Sequence, residues 1–324
     1  MPSRAKADPA VVRIGSRASE LALRQARLVE AALLARGIGS ELVTFKTTGD
    51  KNLDQPLSEI GGKGLFTREL EVALAKGKID CAVHSLKDLP TESSDGLEIV
   101  AQLEREDPRD VLVVNRQVGA ENLDDLPRGS RVGTSSLRRR AQLLARRPDL
   151  EVVELRGNVP TRLSKVERGT VHAAILAAAG LIRLEVQRRI TMFLEPPDWL
   201  PAPGQGAIAI QARSDDPRMM SLLAPLNHEP TSTATRAERA FLAALEGGCQ
   251  VPIGALLGDG PTGPTLYGML ADVTGRHIVR GSRPLGDSPE ETGEALAAEI
   301  RSRGGGSLLV ELRQLSKLPA PQPE

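Results

Sequence analysis

A chain of 324 residues is too long for one small core, and typical domain sizes predict two or three domains. Its 42 basic residues balance 42 acidic ones and aromatics make up only 2%, which argues against a general nucleic-acid binder with a broad basic face and stacking platforms. No apolar run approaches the roughly 20 residues that cross a bilayer. Two cysteines and four histidines build neither a disulfide framework nor a zinc centre, so no metal is expected. The polar start "MPSRAKADPA" has no apolar h-region or cleavage site, which leads to the expectation of a cytoplasmic protein.

Strand-like and helix-like segments alternate from the beginning. "VVRIGSR" reads as a strand, "ELALRQARLVEAALLARG" as a helix, "ELVTFKTT" as a strand, "LFTRELEVALAKG" as a helix and "IDCAVHSL" as a strand, the pattern of an α/β domain with a mostly parallel sheet. Arg13 and Arg17 belong to the first strand and its exit, followed by Ser19 as a helix N-cap. "GGKGLF" lacks the spacing of a nucleotide-binding loop, and residues 49–63, pivoting on Gly49, Gly61 and Gly62, read better as a loop able to cover a cleft. Cys81 reads as a small buried hydrophobe and His84 as structural. "HSLKDLP" places Lys87 and Asp88 where a strand ends. Asp88 there is a fixed negative charge or hydrogen-bond acceptor first and an acid second, or simply a turn residue before Leu89-Pro90.

A second series starts after "REDPRD": strands at "DVLVVN" and "SRVGTSS", a helix over 137–147, a strand at "LEVVEL", a helix over 160–169 and "HAAILAAAGL". Basic residues number 33 Arg against 9 Lys, a skew that codon usage explains as well as function does, so only local placement carries weight. In "GTSSLRRR", Thr134, Ser135 and Ser136 precede Arg138–Arg140 in a first helical turn, where unpaired N–H groups and the helix dipole favour an anion; a solvated face is the alternative. Arg156 leaves a strand, Arg162 lies in the first turn of a helix that Pro160 can start, and Arg183 follows in "GLIRL". Basic groups at several equivalent strand ends suit a ligand with several carboxylates or phosphates, because open α/β sheets bind ligands outside the carboxyl ends of their strands. After the proline-rich "EPPDWLPAPGQG", "AIAIQAR" reads as another buried strand; if it returns to the first lobe, crossings near 105–110 and 200–206 join two lobes as a hinge.

From about 229 a helix, three strands near 251–258, 264–272 and 277–283, and a helix from about 288 read as a small α+β domain; the tail "LPAPQPE" reads as disordered. Cys249 sits behind Gly247 and Gly248, good helix stops, in an accessible turn. A thiol there is a nucleophile or an attachment point; no His/Asp dyad lies nearby, which favours attachment.

The segments "RIGSRASELALRQA", "GGKGLFTRELE", "DCAVHSLKDLPT", "EREDPRD", "VGTSSLRRRAQL", "LRGNVPTRLSK", "LPAPGQGAIAI", "AERAFL" and "EGGCQVPIG" together resemble the porphobilinogen deaminase (hydroxymethylbilane synthase) family, in family order from about 11 to 255. The resemblance implies an α/β fold: two periplasmic-binding-protein-like lobes with mixed β-sheets (1–106 with 201–226, and 107–200) plus a small α+β C-terminal domain (227–324). It implies a dipyrromethane cofactor joined by a thioether to Cys249 and a monomeric enzyme that links four porphobilinogen molecules into hydroxymethylbilane, releasing ammonia. Asp88 would stabilise the cation left when ammonia departs. Lys63, Ser85, Lys87, Thr134, Ser136, Arg138 and Arg139 would hold the cofactor, and Arg13, Arg17, Ser19, Phe66, Arg156, Arg162, Arg183 and Gln205 the substrate. Thr48 and Pro160 stand where some members have Arg and Gly, and Arg140 is not assigned to the ligand. The rival reading, a two-lobed solute-binding protein for a polycarboxylate, would need neither Cys249 nor Asp88.

Overall fold

The computed structural model describes residues 11–47, 67–92, 94–245 and 251–315. The loop expected over 49–63, with Lys63, and Phe66 and Cys249 lie outside these residues. Within them, no helix is long and apolar enough to cross a membrane.

Three sheets organise the chain. The first contains β1 (Val12–Arg17), β2 (Ser40–Phe45), β3 (Cys81–Ser85), β4 (Leu97–Gln102) and a late strand, β10 (Ile208–Arg213), in the order β2-β1-β3-β10-β4. The second contains β5 (Asp110–Val114), β6 (Arg131–Gly133), β7 (Glu151–Val153), β8 (Ala173–Ala177) and β9 (Met192–Leu194), in the order β7-β6-β8-β5-β9. The two orders match position for position. In each, three strands are parallel, and the fourth strand in spatial order, β10 or β5, runs antiparallel to both neighbours. The sheets are therefore mixed, and the antiparallel strands are the two beside the chain's crossings between lobes. "AIAIQAR" pairs with β3 and β4, so the buried strand read from its apolar run does return to the first lobe. Two strands, β4 and the three-residue β9, were not anticipated. Both lie at sheet edges, where β4 is only partly buried and β9 spans three residues, so neither has a strong periodic signal.

Corresponding glycines bring the layers together. A Cβ on Gly15 of β1 would lie 2.3 Å from Ile79, and one on Gly133 of β6 would lie 2.8 Å from Leu155. A side chain at either position would force its neighbour to shift, most of all at Gly133, where Leu155 Cβ lies at 2.9 Å. Helix α1 (Glu20–Leu34) starts on Ser19, whose Oγ accepts from the Ala22 N–H, and buries Ala22, Ala26, Val29 and Leu33 at helical spacing against the first sheet. Helix α2 (Arg68–Ala75) buries Leu70 and Leu74 on the other face. In the second lobe, α3 (Leu137–Arg146), α4 (Val159–Glu167) and α5 (Ala178–Arg183) follow β6, β7 and β8. "HAAILAAAGL" divides into β8 and α5 at Ala177–Ala178: an apolar, mostly buried run carries no period that distinguishes strand from helix.

After α6 (Pro217–Leu223), α7 (Glu229–Ala244) and α8 (Pro289–Ile300) pack on one face of an antiparallel sheet of β11 (Ile253–Gly260), β12 (Gly263–Ala271) and β13 (Ile278–Pro284), around Phe241, Leu266 and Leu296. Helix α9 (Gly306–Leu315) follows a kink at Gly304, which has φ +106°. The opposite face of this sheet meets Ala141 of α3 and Leu200 through Leu256, Met269 and Ala271. Glu238 of α7 fastens the unit to the crossings. Its carboxylate, with a side chain 0% exposed, takes both Arg105 guanidinium arms at 2.7 and 3.0 Å and accepts from the Gly204 and Leu257 N–H groups.

Removing one partner of a buried ion pair strands the other charge. Glu238→Gln is expected to destabilise the protein by about 3–5 kcal/mol, read from denaturant unfolding, with Arg105 left without its counter-ion.

Candidate functional site

The chemistry-bearing residues collect at the carboxyl ends of the parallel strands. β3 runs into a single helical turn, Leu86–Asp88, which anchors on buried Leu86, whose N–H donates to the Ala207 carbonyl at 3.0 Å, and leaves Lys87 and Asp88 half-buried. Ser85 exchanges hydrogen bonds with Gln25 of α1, at 2.9 and 3.2 Å. Arg17 ends β1 beside this turn, near enough to His84 to influence its protonation. His84 is buried, and burial is the main reason its pKa falls to about 4; neighbouring Gln211 opposes that fall and Arg17 adds to it. It is a neutral, structural histidine at physiological pH, as its sequence context suggested.

From Lys87 a hydrogen-bonded chain leads out of the first lobe. Lys87 Nζ donates to Gln205 Oε1 at 3.3 Å, and Gln205 Nε2 donates to the Pro108 carbonyl at 2.7 Å and to Asp110 Oδ1 at 2.8 Å. Asp110, 0% exposed, is the meeting point. Arg138 donates to its Oδ2 at 2.6 Å, Arg139 to its Oδ1 at 2.7 and 3.1 Å, and Trp199 Nε1 to its Oδ2 at 2.9 Å. Burial alone would raise the Asp110 pKa, yet the two guanidinium groups hold it far below the usual carboxylate range. Arg138 also donates to the Leu200 carbonyl and Arg139 to that of Ile175. The unfavourable cations in the first turn of α3 thus have a physical explanation that the helix sequence does not contain: a carboxylate supplied by β5. Two guanidiniums on one carboxylate still leave a net positive charge.

Thr134 Oγ1 accepts from the Ser136 N–H, and Ser136 caps α3 without a side-chain hydrogen bond. Arg156, after β7, has a buried Nη1 without a hydrogen-bond partner among the described residues. Arg162 of α4 donates to the Gly157 carbonyl at 2.8 Å; burial, then the nearby positive charge of Arg139, lowers its pKa to about 10 although Asp88 pulls it upward. Arg183 closes α5, donates to the Gly206 carbonyl at 2.6 Å and falls to about 10 through burial. The electrostatic neighbourhoods therefore place Lys87, Asp88, Arg139, Arg156 and Arg162 together, drawn from both lobes. Cations outnumber carboxylates there, and an orphaned buried guanidinium nitrogen is what an anionic ligand would satisfy; the residues fit a group carrying several carboxylates.

Three sequence-based assignments need adjustment. Arg13 is not at the carboxyl end of β1: it lies four residues upstream of Arg17, about 13 Å along a strand, and pairs through two arms with Asp80, at 2.7 and 3.1 Å. Arg138 and Arg139 are framework first, since Asp110 holds both. Ser19 is engaged as the N-cap of α1. Arg140 donates to the Val273 carbonyl at 3.3 Å, away from Asp110, consistent with leaving it unassigned. Cys81 is buried, and burial pushes its thiol up to about 12, an inert group. Asp110, Glu238 and Gln25 carry no label in the reading of the sequence. Asp110 and Glu238 stood inside "EREDPRD" and "AERAFL", where an acidic residue beside arginines was the available signal.

Fold and site together define a two-lobed α/β protein with a third domain and a cation-rich site around one half-buried carboxylate. Residues 12–221 match the family model described as "Porphobilinogen deaminase, dipyromethane cofactor binding domain" and residues 232–302 the one described as "Porphobilinogen deaminase, C-terminal domain". The porphobilinogen deaminase of Moorella thermoacetica is 52% identical over 309 residues, 94% of this chain and 97% of that protein; that of Syntrophobacter fumaroxidans is 50% identical over 309 residues, 93% and 98% respectively. The chain belongs to the porphobilinogen deaminase family. Among solved structures, the methionine-binding protein MetQ aligns at 15% identity over 74% of this chain and 95% of its own, with a TM-score of 0.44, and a sulfonate-binding SsuA from Methylobacillus flagellatus at 19% identity over 74% and 69%, with a TM-score of 0.41.

Burial lowers the pKa of Lys87 to about 8, with Asp88 opposing and Arg139 assisting. Its amine is therefore protonated below that pH and nucleophilic above it. Reductive methylation followed by peptide mass spectrometry should show Lys87 reacting with a midpoint near 8, roughly two units below exposed lysines; a midpoint with the exposed lysines would contradict the burial.

Proposed function

We propose that this chain joins four porphobilinogen molecules head to tail, releasing one ammonia at each addition, and frees the product as hydroxymethylbilane, working from a dipyrromethane attached through Cys249. The observation that carries this reading is one half-buried carboxylate, Asp88, among cations drawn from two lobes, in a chain that belongs to the porphobilinogen deaminase family. When bound, dipyrromethane supplies the pyrrole carbon that serves as nucleophile.

Every pyrrole unit carries an acetate and a propionate, so the protein must bind anions repeatedly and stabilise a cation once per cycle. Arg17, Arg156, Arg162 and Arg183 serve the first task for the substrate, with Gln205 and Phe66 beside them. Arg138 and Arg139, joined to Asp110 yet jointly in charge excess, serve it for the cofactor together with Lys63, Ser85, Lys87, Thr134 and Ser136. Asp88 serves the second: its carboxylate holds the pyrrole N–H and stabilises the positive charge that develops as ammonia leaves the aminomethyl carbon, then receives the proton released on bond formation. Surrounding cations are compatible with this role because they are neutralised by the ligand's own carboxylates. Cys249 makes no bond in the turnover cycle and acts as the tether. We place the enzyme in the cytoplasm as a monomer, with no nucleic-acid or membrane partner.

Intact-protein mass tests the reading against a solute-binding protein. The wild type is expected to carry a mass excess equal to dipyrromethane, absent in Cys249→Ser, and an unmodified, fully active wild type would refute the tether. Asp88→Ala is expected to keep its fold by circular dichroism and to lose about 100-fold or more in turnover; activity close to wild type would remove Asp88 from the chemistry.

A further inference from the structure

The backbone that follows Asp88 is held from outside its own lobe. Arg239, on α7 of the third domain, donates from Nη1 to the Leu89 carbonyl at 3.2 Å and from Nη2 to the Pro90 carbonyl at 2.7 Å. These carbonyls belong to the two residues immediately after Asp88, which itself ends the single turn closed by the Leu89 N–H on the Leu86 carbonyl. Pro90 fixes its own φ and restricts Leu89, so this short stretch moves as a stiff unit and Asp88 moves with it.

Arg239 is costly where it stands. Burial depresses its pKa, and although Glu71 and Glu92 line the same small cavity, its guanidinium arms are hydrogen-bonded to the two carbonyls. A desolvated cation facing two neutral carbonyls is a poor way to gain stability. Its geometry explains the choice of residue: the planar fork spans two successive carbonyls, which a lysine ammonium does not. Its neighbour explains the choice of position. Glu238 fixes the same helical turn to Arg105, Gly204 and Leu257, so α7 is itself immobilised, and α7 ends at Ala244, five residues before Cys249 in the sequence.

We infer that Arg239 is a positioning residue of the reaction: it fixes the loop bearing Asp88 relative to the helix that leads to Cys249, and so sets the distance between the carboxylate and whatever the cysteine carries. This inference rests on the function proposed above. Arg239 touches neither substrate nor cofactor; it acts through the Leu89-Pro90 backbone. A displacement of about 1 Å from productive geometry is worth up to about 100-fold in rate.

The test compares wild type, Arg239→Met, Arg239→Lys and a control on the exposed side of α7, Arg236→Gln, as purified full-length holoenzymes. Arg239→Met is expected to carry the cofactor mass in full and keep KM within about twofold, while kcat falls between about 10- and 100-fold. Arg239→Lys should recover part of the loss, and Arg236→Gln should match wild type. Hydrogen exchange of the peptide covering 86–92 is expected to accelerate about tenfold or more in Arg239→Met, a loss of about 1.4 kcal/mol of protection, without change in the control. An unchanged kcat, a loss matched by missing cofactor, or unaltered exchange in that peptide would overturn the inference. Should Arg239→Met fail to fold, Arg239→Lys decides by the same measurements: an unchanged kcat and exchange rate refute it. A wild type without the cofactor mass would defeat the underlying functional reading instead, and exchange alone would then decide whether Arg239 clamps the loop.

Discussion

Asp110 is the constraint on which the site depends. One buried carboxylate accepts from two arginines, a tryptophan and a glutamine, and those donors come from α3, the segment before the return crossing and the crossing itself. The arrangement solves a difficulty inherent in an anion-binding enzyme. Guanidinium groups intended for a ligand must be oriented before it arrives, and in a dry interior they repel one another. A shared counter-ion orients both and cancels only part of their charge, so the remainder is available to a ligand. The same carboxylate reaches Lys87 through Gln205, which ties the lobe carrying Asp88 to the lobe carrying the arginines.

Glu238 repeats the principle at the third domain. It too is an acidic group without exposed surface, and it too ties an arginine and backbone N–H groups from different parts of the chain. Buried ion pairs are weak evidence for stability, but they are demanding in geometry, since a misplaced partner strands a charge. Two such knots at the crossings confine how the three units meet, and they leave the outer faces of the lobes to ordinary apolar packing.

The lobes were legible in the sequence because their strands and helices alternate with strong periods, and because Ser19 and Pro160 mark helix starts. The candidate site residues were singled out where a residue type was locally odd: cations in the first turn of α3, a carboxylate after an apolar strand, and a thiol behind two glycines that lies outside the described residues. What local reading could not supply was the partner of each charge. Arg13 and Arg17 stand in the same five-residue motif and look alike, yet Asp80 takes the first and the second stands at the carboxyl end of the strand. Arg138 and Arg139 look like free anion ligands until Asp110, nearly thirty residues upstream, is placed against them. Pairing across distance is a property of the fold, and sequence spacing does not encode it in a readable form.

The placement of β10 also orders the assembly of the molecule in time. All five strands of the second sheet lie between residues 110 and 194, whereas the first sheet needs residues 208–213 inserted between β3 and β4. On a ribosome, the lobe that emerges first therefore cannot finish its sheet until the lobe that emerges second has been synthesised. Until then β3 and β4 lack their shared neighbour and expose backbone edges of the kind that recruit other chains. The loop bearing Asp88 leaves β3, one of those edges, so this carboxylate takes its place only after Arg139, Arg156 and Arg162 of the second lobe have been made.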